Sequence, residues 1–264
     1  MRAASRLLVI LAVGVALIWG LSSWLGLTVT DFAHLGQAHN AVRIDGEMVR
    51  VPSAPGPAKR QLPAVPVTTT GEYAFMFDDE AQPVRYDPCR PLAWVLNPKG
   101  MPDAAETLVH DAFDSVEAAT GLKFEYEGTT TEVASFDRPL IQDRYGDGFA
   151  PIIVGFADET AVPQLAGSVT GIGGSSSVYG AYGDQQFLHS GTVILDAEDI
   201  GAILGTPIGI AIAQAVIQHE VGHVVGLAHV EDISELMNAS NTRITEWGPG
   251  DRAGLAIAGD GPCE

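Results

Sequence analysis

The distribution of hydrophobic and polar positions divides the chain into three parts. Residues 7–30 form an apolar stretch without a single charged side chain. Five prolines then interrupt residues 52–66, and such a segment favours extended backbone over helix or sheet. The remainder alternates between strand and helix periodicities, as a globular domain does. We therefore predict an N-terminal segment at 1–30, a stalk at 31–70 and a folded domain at 71–264.

Short apolar runs in the third part predict strands. Four runs with strand-like patterns cover residues 91–97, 123–127, 151–156 and 191–196. Between the last two lies a stretch rich in glycine and serine, residues 167–183, which has a strand-like pattern around Val178 and Tyr179. These runs predict at least four strands, separated by helices and turns.

Helical periodicity predicts two longer helices. The first follows Asp103, where the sequence DAAE resembles a capping box, and Gly121 suits the position after its last turn. The second covers residues 207–225, with Thr206 as its expected N-cap. This second helix is apolar on nearly all sides, so we expect it to be central and buried.

The apolar stretch at 7–30 predicts a membrane anchor. As a helix it would extend roughly 36 Å, enough for a hydrocarbon core of about 30 Å. Arg2 and Arg6 precede it and no basic cluster follows at once, which places the remainder of the chain outside the cell. A cleaved signal peptide is the alternative, although the stretch is longer than the usual h-region and lacks a clear A-x-A site. We expect a single-pass protein of the cell membrane with an extracellular domain, secreted if the segment is cleaved.

Charge and cysteine content narrow the possible partners. The chain has 14 basic and 33 acidic residues and a formal net charge of −19. Nucleic acid is excluded as a main partner because phosphate binding needs a basic face.

The two cysteines, Cys89 and Cys263, form an even pair, which in an exported chain favours a disulfide.

The end of the predicted buried helix carries the candidate chemistry. His219 and His223 are four residues apart, so both imidazoles leave one helix face and can bind one Zn²⁺. Glu220 points about 100° round the helix, from where it can address a metal-bound water without being a ligand. Gly226 can adopt the left-handed conformation that ends a helix, and this turn lets His229 return as a third ligand. Three protein ligands leave one position open, as in catalytic zinc sites.

This stretch, HEVGHVVGLAH from His219, resembles the H-E-x-x-H-x-x-G-x-x-H signature of metzincin metalloproteases. The chain is most similar to a minimal, bacterial-type matrixin, over about residues 86–263. The resemblance implies that the three histidines of the signature bind zinc and that Glu220 is the general base. It also implies that Met237 forms the Met-turn beneath the metal.

The family fold implied by the resemblance is α+β. It has a twisted, mostly parallel sheet of five strands, an active-site helix and a C-terminal helix, whose entry matches residues 247–256. By the same resemblance, residues 173–179 correspond to the upper-rim strand, whose edge can pair with an extended peptide. A plain surface loop is the alternative for this segment.

The chain also departs from the matrixin pattern. Val230 follows His229, where familiar matrixins usually have serine or threonine. No tyrosine stands two residues after Met237, so a fifth zinc ligand of the astacin kind is not expected. The cysteine-switch motif is absent, and the sequence around Cys89 does not match it.

Together these features predict a zinc-dependent endopeptidase that acts on proteins or peptides. The alternative from another class is a non-catalytic, zinc-stabilised binding or adhesion domain. The retained Glu220 distinguishes the two, since a structural zinc site does not need that carboxylate and is usually closed by four protein ligands. Hydrolysis of a non-peptide amide is a third possibility.

A calcium site is a weaker expectation. The carboxylates of Asp196, Glu198 and Asp199 follow a predicted strand, and Ca²⁺ prefers clustered oxygen ligands. The same three residues also fit a solvated loop, which we favour.

Overall fold

Two structural units divide the chain in the computed structural model. The small unit comprises Met1–Ser53 and Tyr179–Asp184, and the large unit comprises Ala54–Val178 and Gln185–Glu264. The structure describes residues 39–44, 46–52, 59–79, 82–180, 186–240 and 244–263. The three-part division of the sequence stays a prediction.

The strands are numbered in chain order. They are β1 (His39–Ile44), β2 (Glu47–Pro52), β3 (Asp78–Asp79), β4 (Gln82–Pro83), β5 (Leu92–Leu96), β6 (Phe124–Thr129), β7 (Ile152–Ala157), β8 (Gly171–Gly180) and β9 (Gln186–Asp196). All four strands predicted from apolar runs are present, as β5, β6, β7 and β9. The stretch rich in glycine and serine forms β8.

The small unit contains a hairpin within the predicted stalk. Its strands β1 and β2 pair antiparallel over their whole length. Strand β1 also pairs antiparallel with Tyr179 and Gly180, the two residues that β8 contributes to this unit. Val42 and Val51 are buried, so the hairpin has an apolar side. The stalk predicted for residues 31–70 did not include such a hairpin.

The large unit orders its strands β8-β9-β7-β5-β6. The pairs β5·β6, β5·β7 and β7·β9 are parallel. Strand β8 lies antiparallel to β9, because the Asp196 N–H donates to the Thr170 carbonyl at 2.9 Å and only five residues join the two strands. A parallel crossover would need about a dozen residues or more.

The prediction of an α+β protein is confirmed, but the predicted sheet is wrong in strand number and direction. In the described residues, seven strands pair in the order β2-β1-β8-β9-β7-β5-β6, and some of these pairs are parallel while others are antiparallel. Strands β3 and β4 form a separate two-stranded sheet. The two strands beyond the predicted five are β1 and β2, and β8 lies antiparallel to β9. The sheet is therefore mixed rather than mostly parallel and five-stranded.

Four α-helices occur in the described residues: α1 (Ala105–Thr120), α2 (Ala197–Leu204), α3 (Gly209–Val224) and α4 (Pro249–Gly259). Gly121 ends α1 in the left-handed conformation, as predicted. The predicted capping box at Asp103 is wrong, since α1 has Ala104 as its N-cap without a side-chain hydrogen bond. Thr206 does not cap α3 either; its hydroxyl donates to the Ile203 carbonyl at the end of α2.

The main core lies between one face of the sheet and helices α1 and α3. Alternation along β5 directs Trp94 and Leu96 to this core, where Trp94 stacks on Phe113 with ring centroids 4.2 Å apart. Val95 points to the opposite face and joins a smaller core with Ile153. Helix α3 is thus packed centrally, as its apolar sequence predicts, and it carries His219 and His223.

The predicted disulfide between Cys89 and Cys263 is present, with a Cα–Cα distance of 5.4 Å. It ties the segment before β5 to the end of α4 across a sequence separation of 174 residues. In the chain-entropy model a loop of this length stabilises the folded state by about 5 kcal/mol.

The prediction of a single-pass membrane protein is contradicted. The longest helices that the structure describes, α1 and α3, have 16 residues each and therefore extend only about 24 Å. Among the described residues, no helix combines the length and apolarity needed to cross a bilayer. The apolar stretch at 7–30, on which the prediction was based, lies outside those residues.

Candidate metal centre

The last turns of α3 present the first two predicted ligands. His219 and His223 leave the helix on one face, and the chain turns at Gly226, whose φ of 102° lies in the left-handed region. The Gly226 N–H donates to the His223 carbonyl at 3.0 Å, which closes the helix end. After this turn the chain returns and brings His229 beside the other two imidazoles.

The three imidazoles converge on one point. The Nε2 atoms of His219 and His229 are 3.0 Å apart, and His223 Nε2 lies 3.1 Å from each of them. Ligands at a tetrahedral zinc, with bonds of 2.0–2.1 Å, are roughly 3.3 Å apart, so the triangle has the size that a metal ion requires. In the part of the chain that the structure describes, the only other group of three possible ligand atoms includes the disulfide sulfurs.

Backbone carbonyls fix the orientation of two of the rings. His219 Nδ1 donates to the Leu236 carbonyl and His223 Nδ1 to the Leu227 carbonyl, both at 2.7 Å. A carbonyl can only accept, so the proton of each neutral ring is on Nδ1 and the Nε2 lone pair faces the centre. Such outer hydrogen bonds orient metal-ligating histidines in proteins.

Burial keeps these imidazoles in the form that binds metal. It lowers the pKa of His219 to about 4 and the pKa of His223 to about 3. Both rings are therefore neutral at pH 7, and no proton competes with a metal ion for Nε2.

Glu220 occupies a different environment on the same helix. The residue is 6% exposed, and burial raises the pKa of its carboxyl to about 8. Among the described residues no hydrogen bond reaches this carboxylate. It thus lacks the protein hydrogen-bond partners that a structural carboxylate normally has, and it lines the cavity beside the histidines.

Strand β8 passes very close to Glu220. A Cβ atom on Gly171 would lie 2.8 Å from Glu220 Cγ, and one on Gly173 would lie 2.2 Å from the Glu220 carbonyl oxygen. Only glycine allows the strand backbone to approach α3 so closely. The glycine-rich composition of this stretch therefore has a packing cause, and the segment is a strand rather than a plain surface loop.

A cavity of about 240 Å³ opens beside the histidines. His219, Glu220 and His229 are part of its wall, and one side is formed by the backbone leading into β8. Its apolar lining comes from Ile212, Ala215, Val216 and Ile244. Two histidines of the triangle, His219 and His229, thus share one solvent-accessible space with Glu220.

Met237, for which the resemblance implies a Met-turn, is buried against α3, and its role at a metal stays a prediction. It is 1% exposed, and its Sδ would be 2.9 Å from a Cβ atom on Gly222, so it packs directly against α3. The Val230 N–H donates to its carbonyl at 3.1 Å, which links the Met237 turn to the segment that carries His229.

Two buried acids hold this turn, and sequence reasoning missed their role. The Asp251 carboxylate accepts the N–H groups of Leu236 and Met237. The Glu235 carboxylate accepts the N–H groups of Gly250 and Asp251, both at 2.9 Å, at the start of α4. An acid two residues after Pro249 is typical of a first helical turn, and this signal could have identified Asp251 in the sequence.

The calcium expectation gains no support. The Asp196 side chain caps α2 by accepting the Asp199 N–H at 2.9 Å. The Asp199 carboxylate in turn accepts from the Thr170 hydroxyl at 3.4 Å, and Glu198 is exposed. These acids order a helix start, and they are absent from the groups of possible metal ligands in the described residues.

Comparison with known proteins adds two distant structural likenesses. No protein-family model matches the chain, and no curated protein matches it. An ECX AB5 holotoxin in its GM1-bound form is 13% identical, with a TM-score of 0.37, over 65% of this chain and 81% of that one. An archaemetzincin from Methanopyrus kandleri is 14% identical, with a TM-score of 0.34, over 65% of this chain and 87% of that one. Likenesses at this level leave the matrixin resemblance a hypothesis based on the motif.

Proposed function

We propose that this protein is a zinc-dependent endopeptidase. The observation that carries the proposal is the triangle of three Nε2 atoms, 3.0–3.1 Å apart, two of whose histidines, His219 and His229, line one cavity with Glu220. Three neutral imidazoles suit zinc, and three protein ligands are typical of catalytic rather than structural zinc sites. The distant archaemetzincin likeness is compatible with this proposal but is too weak to support it.

The ligands would be His219, His223 and His229. Zinc bound by three imidazoles supplies a Lewis acid and an activated water at neutral pH. The protein contributes the fixed orientation of the rings, through the carbonyls of Leu236 and Leu227, and the packing of Met237 against Gly222 of the same helix.

Glu220 would move the proton in the reaction. Its carboxylate takes a proton from the attacking water and later delivers it to the nitrogen of the departing amine. Burial raises the pKa of this carboxyl in the metal-free protein, because the charged form is poorly solvated. A bound cation would favour the ionised form, which is the form that can accept the proton of the water. A carboxylate with this task has to remain free of salt bridges, as Glu220 is among the described residues.

The substrate class proposed here is an extended peptide. In the described residues, the pairing of β8 with β1 is confined to Tyr179 and Gly180, so the edge of Gly171–Val178 away from β9 has backbone groups for a peptide strand. The apolar side of the cavity suits a hydrophobic side chain next to the scissile bond.

The competing proposal is a zinc-stabilised binding domain without catalysis. Such a domain gains nothing from a buried, uncompensated acid beside the metal, since burying that group costs folding free energy. The position of Glu220 therefore favours the peptidase.

A peptide-library digest by the full chain tests the proposal. We expect cleavage that a zinc chelator abolishes, that added Zn²⁺ restores, and that Glu220→Gln lowers while one zinc stays bound. Mass spectrometry identifies the cleaved bonds, and elemental analysis gives the zinc content. Full activity of Glu220→Gln would refute the proposed base. Zinc binding by the wild type without any cleavage would refute the peptidase and leave the binding domain and the hydrolysis of a non-peptide amide as alternatives.

A further inference from the structure

The third ligand is held differently from the first two. His219 and His223 lie on a packed helix, and their Nδ1 atoms are bound to carbonyls. His229 is exposed and lies beyond the helix end. Within the described residues, the hydrogen-bond-distance contacts of its ring are to the two other imidazoles. Its position must therefore be set by the backbone of its own segment.

That segment pairs with a distant part of the chain. The Met76 N–H donates to the Gly226 carbonyl and the Ala228 N–H to the Ala74 carbonyl, both at 2.8 Å. Phe75 and Leu227 form the antiparallel bridge between these two bonds. Residues 226–228, immediately before the third ligand, are thus held by residues about 150 positions earlier.

A side chain extends the same pairing beyond His229. The Glu72 carboxylate accepts the Asp232 N–H at 2.8 Å. Bonds to these residues therefore flank the third ligand on both sides, at Ala228 and at Asp232, in addition to the bond between Val230 and Met237. We define residues 69–76 as the strap.

The strap packs against helix α4. The Thr69 hydroxyl donates to the Pro249 carbonyl at 2.7 Å. A Cβ atom on Gly250 would lie 2.0 Å from the Glu72 carbonyl oxygen, so the strap backbone rests directly on the first turn of α4. A Cβ atom on Gly254 would lie 3.0 Å from Tyr73 Cβ. The strap is consequently wedged between α4 and the His229 segment.

We propose that the strap positions His229 for metal binding, so that zinc affinity depends on residues that do not touch the metal. This inference rests on the metal centre of the proposed function but not on peptidase activity. Removing a partner that orients a metal ligand typically weakens metal affinity by about 10–100-fold. The strap residues Glu72 and Met76 are positioning residues in this sense.

Zinc affinity of strap variants of the full chain tests the proposal. Met76→Pro removes the N–H that binds the Gly226 carbonyl, and Met76→Ala keeps that N–H while removing the side chain. We expect Met76→Pro to weaken zinc binding by about 10–100-fold in chelator competition. Met76→Ala should stay within about threefold of the wild type. Val67→Pro, at an exposed residue just before the strap, controls for proline itself.

A second pair of variants keeps the test valid if Met76→Pro does not fold. Glu72→Ala removes the acceptor of the Asp232 N–H, and Glu72→Gln keeps an oxygen there. We expect a loss of about fivefold or more for the alanine variant, as for the loss of a hydrogen bond. Glutamine should recover most of that loss, because its amide oxygen can accept the same N–H. Co²⁺ absorption reports whether the ligand geometry has changed.

Equal zinc affinity of Glu72→Ala, Glu72→Gln and the wild type would overturn the proposal, as would equal affinity of folded Met76→Pro and Met76→Ala. The parent metal centre is tested separately by His223→Ala, which should abolish binding. A wild type that binds no zinc would refute the centre and the strap together. Zinc binding without peptide cleavage would refute only the peptidase.

Discussion

Two buried acids in the large unit, Glu132 and Glu220, have opposite hydrogen-bonding surroundings. Glu132, in the loop between β6 and β7, receives two hydrogen bonds from Arg138 at 2.8 Å and one each from Gln142 and Tyr145 at 2.7 Å. Glu220, beside the histidine triangle, receives none from the described residues. Both residues are only 6–7% exposed, but Glu220 lies deeper in the protein than Glu132, so depth of burial and hydrogen bonding both distinguish them.

The pKa directions follow this difference. Burial alone would raise the pKa of Glu132, but the hydrogen bonds from Arg138, Gln142 and Tyr145 outweigh it and lower that pKa below its usual value. Burial acts unopposed on Glu220 and raises its pKa to about 8. A compensated acid stabilises a loop, whereas an uncompensated one costs stability and keeps its lone pairs free for a reaction.

The largest expected effect is at Glu220. Glu220→Gln should lower kcat/KM for a cleaved peptide by about 10²–10⁴-fold, because it removes the proton acceptor. The same change should leave the metal-free protein as stable or more stable, since a neutral amide replaces a poorly solvated acid. Kinetics and urea unfolding measure the two quantities. A large loss of stability would mean that Glu220, like Glu132, stabilises the fold, and the contrast between the two acids would be wrong.

The next effect is at Arg138. Arg138→Met leaves Glu132 buried without its main partner and should destabilise the protein by about 3–5 kcal/mol. Replacing both residues, with Glu132→Leu and Arg138→Met, should recover most of this loss because no uncompensated charge remains. Urea unfolding measures both, and zinc affinity serves as the control. A zinc affinity that falls with Arg138→Met would show that the two groups are coupled.

The histidine centre could be predicted from the sequence because it is mostly local. His219 and His223 share one helix face, and Gly226 supplies a turn that residue type alone indicates. The Glu132 network could not be predicted in this way. Arg138 reaches Ser190 and Gly191, 52 and 53 residues away, and no spacing rule connects them.

The same limit applies to the fold. Apolar runs predicted four strands and the buried helix, because burial on one or both sides leaves a local pattern. The hairpin β1·β2 was missed, since the prolines around it favoured a stalk. The pairing of Ala74 with Ala228 was also beyond prediction, because it depends on the path of the chain around α4.

Acid should destabilise the protein partly through Glu132. Its pKa is lower in the folded than in the unfolded state, so the unfolded state binds more protons between the two values. The contribution of Glu132 is therefore complete above its ordinary pKa near 4.5 and is lost as the pH falls through the folded value. Urea unfolding from pH 7 to pH 3 should show a smaller loss for Glu132→Gln than for the wild type. Parallel curves would mean that Glu132 is not held in its ionised form by this network.

The smallest effect is expected when one donor is removed from the network. Tyr145→Phe deletes the hydroxyl that donates to Glu132 at 2.7 Å and leaves the bonds from Arg138 and Gln142 in place. A hydrogen bond to a charged acceptor contributes about 1.5–3 kcal/mol, and the remaining donors should hold the loss near the lower end. Urea unfolding measures this loss, with Tyr126→Phe as the matched control on β6. A loss as large as that of Arg138→Met would mean that compensation of a buried acid depends on every donor rather than on the paired charge.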